Sequence, residues 1–281
     1  MKWQTGSDSS NVEDRRGMRM VPGGGFGRMG IGGIVVLLIL SLVFKQNFFA
    51  LLGGGTGSTT TESGPVASTP AEDSLKEFIT YVLNDAQTTW TRLLPQQTNS
   101  DYHDAHLVLF RDATESGCGA AESATGPFYC PADQKVYIDL GFYQELQDRF
   151  GAPGDFAQAY VLAHEIGHHV QDILGTSSQV HQLEQSRPEA ANQLSVRLEL
   201  QADCYAGVWA STTRDRDRLD PGDIDEGLAA AASVGDDRIQ QMSGRAVNPE
   251  SWTHGSAQQR SEWFRRGFNS GQVSQCDTFG K

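Results

Sequence analysis

The chain reads as an α+β protein: a mostly helical domain with a small β-sheet, preceded by one transmembrane helix. Three observations lead there. Apolar residues recur at three- and four-residue spacing over residues 74–94, 157–170 and 188–213, the period of a helix buried on one side. Two short runs rich in β-formers, residues 106–111 and 135–140, read as strands. An apolar stretch occupies residues 30–52.

Residues 1–29 are polar and Gly-rich, with Lys2, Arg15, Arg16, Arg19 and Arg28 among few apolar side chains. The glycines between Gly23 and Gly27 precede no strand–helix unit, so they read as linker rather than as a phosphate loop. Within residues 30–52 the uninterrupted core, Ile31 to Phe44, is short of the roughly 20 residues a helical span needs. Phe48 to Leu52 complete the length, and Lys45 can carry its ammonium toward the headgroups. A cleaved signal peptide is the competing reading. Its leader would be unusually long and would contain Glu13 and Asp14, so a retained anchor is the expectation. Basic residues precede the stretch, and none follows Lys45 until Lys76. The positive-inside rule then places residues 1–29 in the cytoplasm and the remainder outside a bacterial cell membrane. Residues 53–70, rich in Gly, Ser and Thr, form a flexible tether, which leaves residues 71–281 as the domain.

The first helix of that domain, residues 74–94, carries Leu75, Phe78, Ile79, Val82, Ala86 and Trp90 on one side. The strands at 106–111 and 135–140 follow, the second with Val136 and Ile138 alternating. A short helix ends near Phe150, and Gly151-Ala152-Pro153-Gly154 breaks the chain. Helices over 157–170, 188–213, 223–242 and 255–271 make the rest mostly helical. At 281 residues there is room for one sizeable domain plus appendages. A net charge of −13 argues against a nucleic-acid partner, because phosphate binding needs a basic surface.

His164-Glu165-Ile166-Gly167-His168 carries the chemistry. Positions i and i+4 of a helix share a face one turn apart, so both imidazoles can reach one zinc ion while Glu165 stands near the remaining coordination position. Gly167 is a poor helix former, and between the two His it lets another segment or the metal site approach closely. Catalytic zinc sites use three protein ligands and a water. His169, His181 and His254 lie downstream, but Gln171 and Leu174 break the H-E-x-x-H-x-x-G-x-x-H pattern. The better third ligand is Glu199, which shares a face with Asp203 at i and i+4 on the helix over 188–213. The two acids could also be an ordinary solvated pair; behind an H-E-x-x-H motif, Glu199 reads as a ligand and Asp203 as the partner that fixes the tautomer of a ligand His, in preference His164. His169 points about 100° away from His168 and reads as structural. His254, in Thr253-His254-Gly255-Ser256 at a helix start, is the candidate electrophile for the developing oxyanion, or else a surface His.

Four cysteines complete the inventory. Cys118 and Cys130 enclose a short loop and can pair, which leaves Cys204 and Cys276 to each other. Four cysteines allow three connectivities, so spacing does not decide, although an oxidising compartment favours disulfides and no C-x-x-C spacing supports a second zinc site.

H-E-x-x-H followed by E-x-x-x-D resembles the gluzincin group of zinc peptidases. The whole chain resembles the bacterial neutral zinc metallopeptidase family with a single N-terminal membrane helix, through Asn11-Val-Glu-Asp-Arg-Arg16, Gly126-Pro-Phe-Tyr-Cys-Pro131, Val136-Tyr-Ile-Asp-Leu140, Ala163-His-Glu-Ile-Gly-His-His-Val-Gln171, Glu199-Leu-Gln-Ala-Asp-Cys204 and Thr253-His-Gly-Ser256. The resemblance implies a zincin-like metalloprotease domain in which a strand before the metal helix offers its edge to an extended peptide. The residues and the resemblance together lead us to expect one zinc held by His164, His168 and Glu199, Glu165 as general base, and a peptide or protein substrate. Two rival classes are a zinc-binding but non-hydrolytic envelope anchor or adaptor, and a metal-free helical scaffold.

Overall fold

A computed structural model describes residues 1–18, 68–123 and 126–280. Its elements are β1 (Val12–Asp14), α1 (Pro70–Gln97), β2 (His106–Phe110), β3 (Ala113–Ser116), β4 (Gly119–Glu122), β5 (Phe128–Cys130), β6 (Lys135–Asp139), α2 (Gly141–Asp148), α3 (Asp155–Ile173), α4 (Thr176–Ser186), α5 (Ala191–Asp215), α6 (Asp223–Ser233), α7 (Asp236–Met242) and α8 (Ala257–Ser270). The fold is α+β and mostly helical. A four-stranded sheet runs β1-β2-β6-β5, parallel across β1, β2 and β6 and antiparallel between β6 and β5; β3 and β4 form a separate antiparallel pair.

α1 starts earlier than its apolar pattern suggests. Thr69 caps it, with the Thr69 hydroxyl accepting from the Glu72 amide and the Glu72 carboxylate returning to the Thr69 amide, and Pro70 fills the first turn where no N–H is needed. Phe78, Ile79, Val82, Leu83, Ala86 and Trp90 then face the core with Leu107, Leu109, Val136 and Ile138 of the sheet and Phe156, Tyr160 and Ile166 of α3. α3 is buried on nearly every side, which is why its sequence lacks a polar stripe. A Cβ at Gly167 would stand 2.8 Å from the Ala202 carbonyl oxygen. Only glycine lets α3 and α5 cross at this distance, and the crossing delivers the acids of α5 to the His pair of α3.

Two helices differ from the sequence reading. The helix expected over 223–242 is two, α6 and α7, because the chain turns at Gly235, where a Cβ would strike the backbone of Ala257. α4 follows Gly175 in the left-handed conformation, and its weak apolar period hid it.

The N-terminal segment also departs from the division at residue 29. β1 lies beside β2 in register, Val12 opposite Leu107, with the Leu107 amide donating to the Asn11 carbonyl and the Arg15 amide to the Leu109 carbonyl, both at 2.7 Å. Asp14 pairs with Lys76 at 3.0 Å, and Trp3 packs on Phe78 with ring centroids 5.3 Å apart. Met1–Arg15 and Ala67–Lys281 are therefore one compact unit. A segment 1–29 on one side of a membrane and a domain on the other cannot make these bonds within one molecule. The proposed span at 30–52 and most of the tether at 53–70 lie outside the described residues; among the described residues no helix is long and apolar enough to cross a membrane.

The cysteines pair as Cys118–Cys130 and Cys204–Cys276. The second bridge ties the segment after α8 to α5 one residue beyond Asp203, and Gln201 adds a hydrogen bond of 3.0 Å to the Cys276 carbonyl.

Candidate metal centre

α3 sets His164 and His168 one turn apart, and α5 crosses beneath them with Glu199. Ligand atoms from these three residues all lie within 4.8 Å of one another. Glu199 Oε2 is 3.3 Å from His164 Nε2, and Oε1 is 3.5 Å from His168 Nε2. Both rings turn Nδ1 away from this centre. His164 Nδ1 meets Asp203 Oδ1 at 2.9 Å, and His168 Nδ1 meets Gln171 Oε1 at 2.8 Å. The Gln171 amide is oriented by its own donation to the Leu198 carbonyl at 2.7 Å, so its oxygen faces the ring. In the neutral rings these contacts place the proton on each Nδ1 and leave each Nε2 with a lone pair facing inward, the arrangement ligand imidazoles adopt. Two imidazole nitrogens and one carboxylate, with an open cleft beyond, fit zinc in its catalytic mode.

Beneath the ligands lies a buried ion pair. Asp203 is 0% exposed and Arg260, from α8, is 3% exposed. The guanidinium meets the carboxylate at two points, Nε to Oδ2 at 2.8 Å and Nη2 to Oδ1 at 2.9 Å. The Tyr160 hydroxyl also donates to Asp203. Burial alone would raise the Asp203 carboxyl, but Arg260 and His164 outweigh it and hold the group below the usual carboxylate range. Burial likewise opposes a charge on His164, yet Asp203 and Glu199 push its pKa up to about 10. Metal entry therefore displaces a proton from this ring.

Glu165 is 6% exposed and lines the same cleft of about 680 Å³ as His164, His168, Glu199, Arg260 and His254. His254 sits on the loop before α8, its side chain half-exposed. Asp236, the first residue of α7, organises that loop: its Oδ2 accepts from the backbone amides of Thr253, His254 and Gly255 at 2.8, 2.6 and 3.0 Å, and its Oδ1 stands 3.3 Å from His254 Nδ1. That hydrogen bond, with help from the Glu199 field, raises the His254 pKa. His169 faces the other way, bonding the His103 carbonyl at 2.7 Å and the Tyr129 hydroxyl at 3.0 Å, a structural role that also ties α3 to β5.

The geometry thus brings together His164, Glu165, His168, Glu199, Asp203 and His254. Sequence reading missed Gln171, Tyr160, Asp236 and Arg260. One signal for Arg260 was available: Ala257, Arg260, Phe264 and Gly267 form the buried stripe of α8 at helical spacing, and an arginine inside such a stripe requires a buried anion. A second acidic cluster, Asp155, Asp223 and Glu226, has no nitrogen ligand and takes the Met1 ammonium, 2.7 Å from Asp155.

Comparison with known proteins gives the family. A model of the family described as "Putative neutral zinc metallopeptidase" matches residues 1–279. "Uncharacterized protein YpfJ" of Escherichia coli (strain K12) is 46% identical over 286 aligned residues, covering 100% of this chain and 99% of that protein. "Uncharacterized protein Rv2575" of Mycobacterium tuberculosis (strain ATCC 25618 / H37Rv) is 47% identical over 207 residues, 70% of this chain and 68% of that protein. No solved structure matches. With a match running nearly end to end and a His–His–Glu donor set at its centre, the chain belongs to the neutral zinc metallopeptidase family.

Proposed function

We propose that the chain hydrolyses peptide bonds with one zinc held by His164, His168 and Glu199. The observation that carries this reading is the convergence of two Nε2 lone pairs and a carboxylate at the floor of an open cleft, with Glu165 adjoining the first ligand. Zinc bound there supplies Lewis-acid polarisation of a carbonyl and a water acidic enough to lose its proton near neutrality. Glu165 takes that proton as general base and returns it to the leaving amine. Asp203 and Gln171 hold the Nδ1 protons of the two ligand rings, so the lone pairs stay aimed inward. His254, held through Nδ1 by Asp236, donates to the substrate carbonyl oxygen as negative charge develops on it. β5 is the last strand of its sheet, and its Phe128 and Tyr129 line the cleft; an extended substrate would add to that strand by main-chain hydrogen bonds.

Residues 30–52 remain the proposed membrane contact. Because β1 belongs to the same unit as the domain, both flanks of that segment share one side of the bilayer. Two disulfides in a chain without a free cysteine among its described residues favour an oxidising compartment for that side, outside the cytoplasm.

The test is cleavage of an unstructured protein mixture by the purified zinc-loaded chain, with product termini read by mass spectrometry. Cuts that need zinc are expected. One bound zinc and no cuts would move the reading to a non-hydrolytic envelope adaptor.

A further inference from the structure

Five large apolar side chains are exposed among the described residues: Met18, Leu183, Ile239, Met242 and Val247. Three of the five fall on α7 and the loop after it. Two of these, Ile239 at 40% and Met242 at 48% exposure, line the metal cleft. Scattered surface hydrophobics need no explanation, but a group concentrated on the wall of a site does.

α7 is a fixed wall. Asp236 at its start holds the loop of His254, while Gln240 accepts from the Asn248 amide at 2.8 Å and donates to the Ser251 hydroxyl at 2.9 Å. Ile239 and Met242, at i and i+3, present one face of this anchored turn. Other walls of the cleft are also apolar. Phe142 and Phe150 stand with ring centroids 6.4 Å apart, and Phe128 stacks on Tyr137 at 5.1 Å. Val161 lies one turn before His164 and Glu165 on α3, so an apolar surface adjoins the reacting groups themselves. An occupant that removes the exposed Ile239 and Met242 side chains from water is favoured, and the cleft that takes it is the one the metal ligands line. A polypeptide with a bulky apolar side chain does both: its backbone reaches the edge of β5, and its side chain covers α7.

We propose that the cleft selects Phe, Leu or Met on the residue adjoining the cleaved bond, and that Ile239 and Met242 determine this specificity. The cleaved bond rests on the peptidase reading; the side-chain preference itself does not. The experiment separates them. The purified zinc-loaded full chain carrying Glu165→Gln, which holds peptides without cutting them, is titrated into fluorescent unstructured peptides that differ only in one central residue: Phe, Leu, Met, Ser or Asp. Anisotropy is expected to show the apolar peptides binding at least about tenfold tighter than the Ser peptide. In the same background, Ile239→Ser with Met242→Ser should bring that ratio toward unity, whereas Ile239→Val with Met242→Leu should keep it. Zinc content and unfolding midpoint should match in all three proteins, since both side chains are exposed. Equal binding of all peptides, or a preference that survives the double Ser substitution, would overturn the proposal. Failure of the peptidase reading looks different: the Phe peptide stays uncut by the zinc-loaded chain with Glu165 intact, while the binding ratio persists.

Discussion

Arg260→Met is the perturbation that most directly probes how the centre is held. It removes the cation of a pair in which both partners are almost fully buried and joined at 2.8 and 2.9 Å, leaving the Asp203 carboxylate at 0% exposure. Breaking such a pair from one side costs about 3–5 kcal/mol. The lower end applies here, about 3 kcal/mol, because His164 at 2.9 Å and the Tyr160 hydroxyl still face the carboxylate. Asp203→Asn in the same chain removes the stranded charge while keeping an acceptor for both neighbours. The double variant should therefore recover about 2 kcal/mol of the loss, a coupling energy that independent sites do not show. The assay is urea unfolding of the metal-free protein with disulfides intact, compared across wild type, both single variants and the double. A single-variant loss below about 1 kcal/mol, or single losses that simply add, would refute the reasoning.

Three further outcomes follow from the same geometry. Gln171→Ala leaves all three ligands in place but frees the Nδ1 proton of His168, so zinc affinity by chelator competition should fall about 10- to 100-fold; unchanged affinity would separate Gln171 from the site. If His254 acts in its protonated form, kcat/KM must fall as pH rises through the His254 pKa, which Asp236 raises; Asp236→Asn removes that cause and should move the alkaline limb to lower pH, and a limb that does not move would take His254 out of the reaction. The cysteines of the described residues are all in disulfides, so Ser10→Cys and Ser178→Cys each introduce a lone thiol at an exposed position. An impermeant maleimide added to intact cells should label both variants or neither, and labelling of one alone would break the β1–β2 pairing.

The residues that sequence reading found are those whose relation is local. His164, Glu165 and His168 share one turn of α3, and Glu199 and Asp203 share one turn of α5, so helical spacing alone sets each group. Gly167 even marked where the two helices would meet. Gln171, Tyr160, Asp236 and Arg260 acquire their roles only when α3, α5, α7 and α8 converge, and spacing within one element cannot announce a partner on another. The strands divide in the same way. β2 and β6 are central, buried and rich in β-formers, and they stand within a residue of where the pattern put them. β1 is three residues, two of them acidic, and half-buried throughout; it exists because β2 offers it an edge, so nothing local reveals it. Reading residues 1–29 as a separate polar segment followed from that blindness, since their composition is that of a tail.

The central claim is that this centre performs hydrolysis through Glu165. The measurement that bears on it most directly sets wild type beside Glu165→Gln, with zinc content and cleavage of the same unstructured protein mixture followed in both. The substitution changes no ligand and keeps the side chain's size, so each protein should bind one zinc per chain, and only the wild type should cut. Equal cutting by both proteins would contradict the account, because the proton would then be leaving the attacking water by another route.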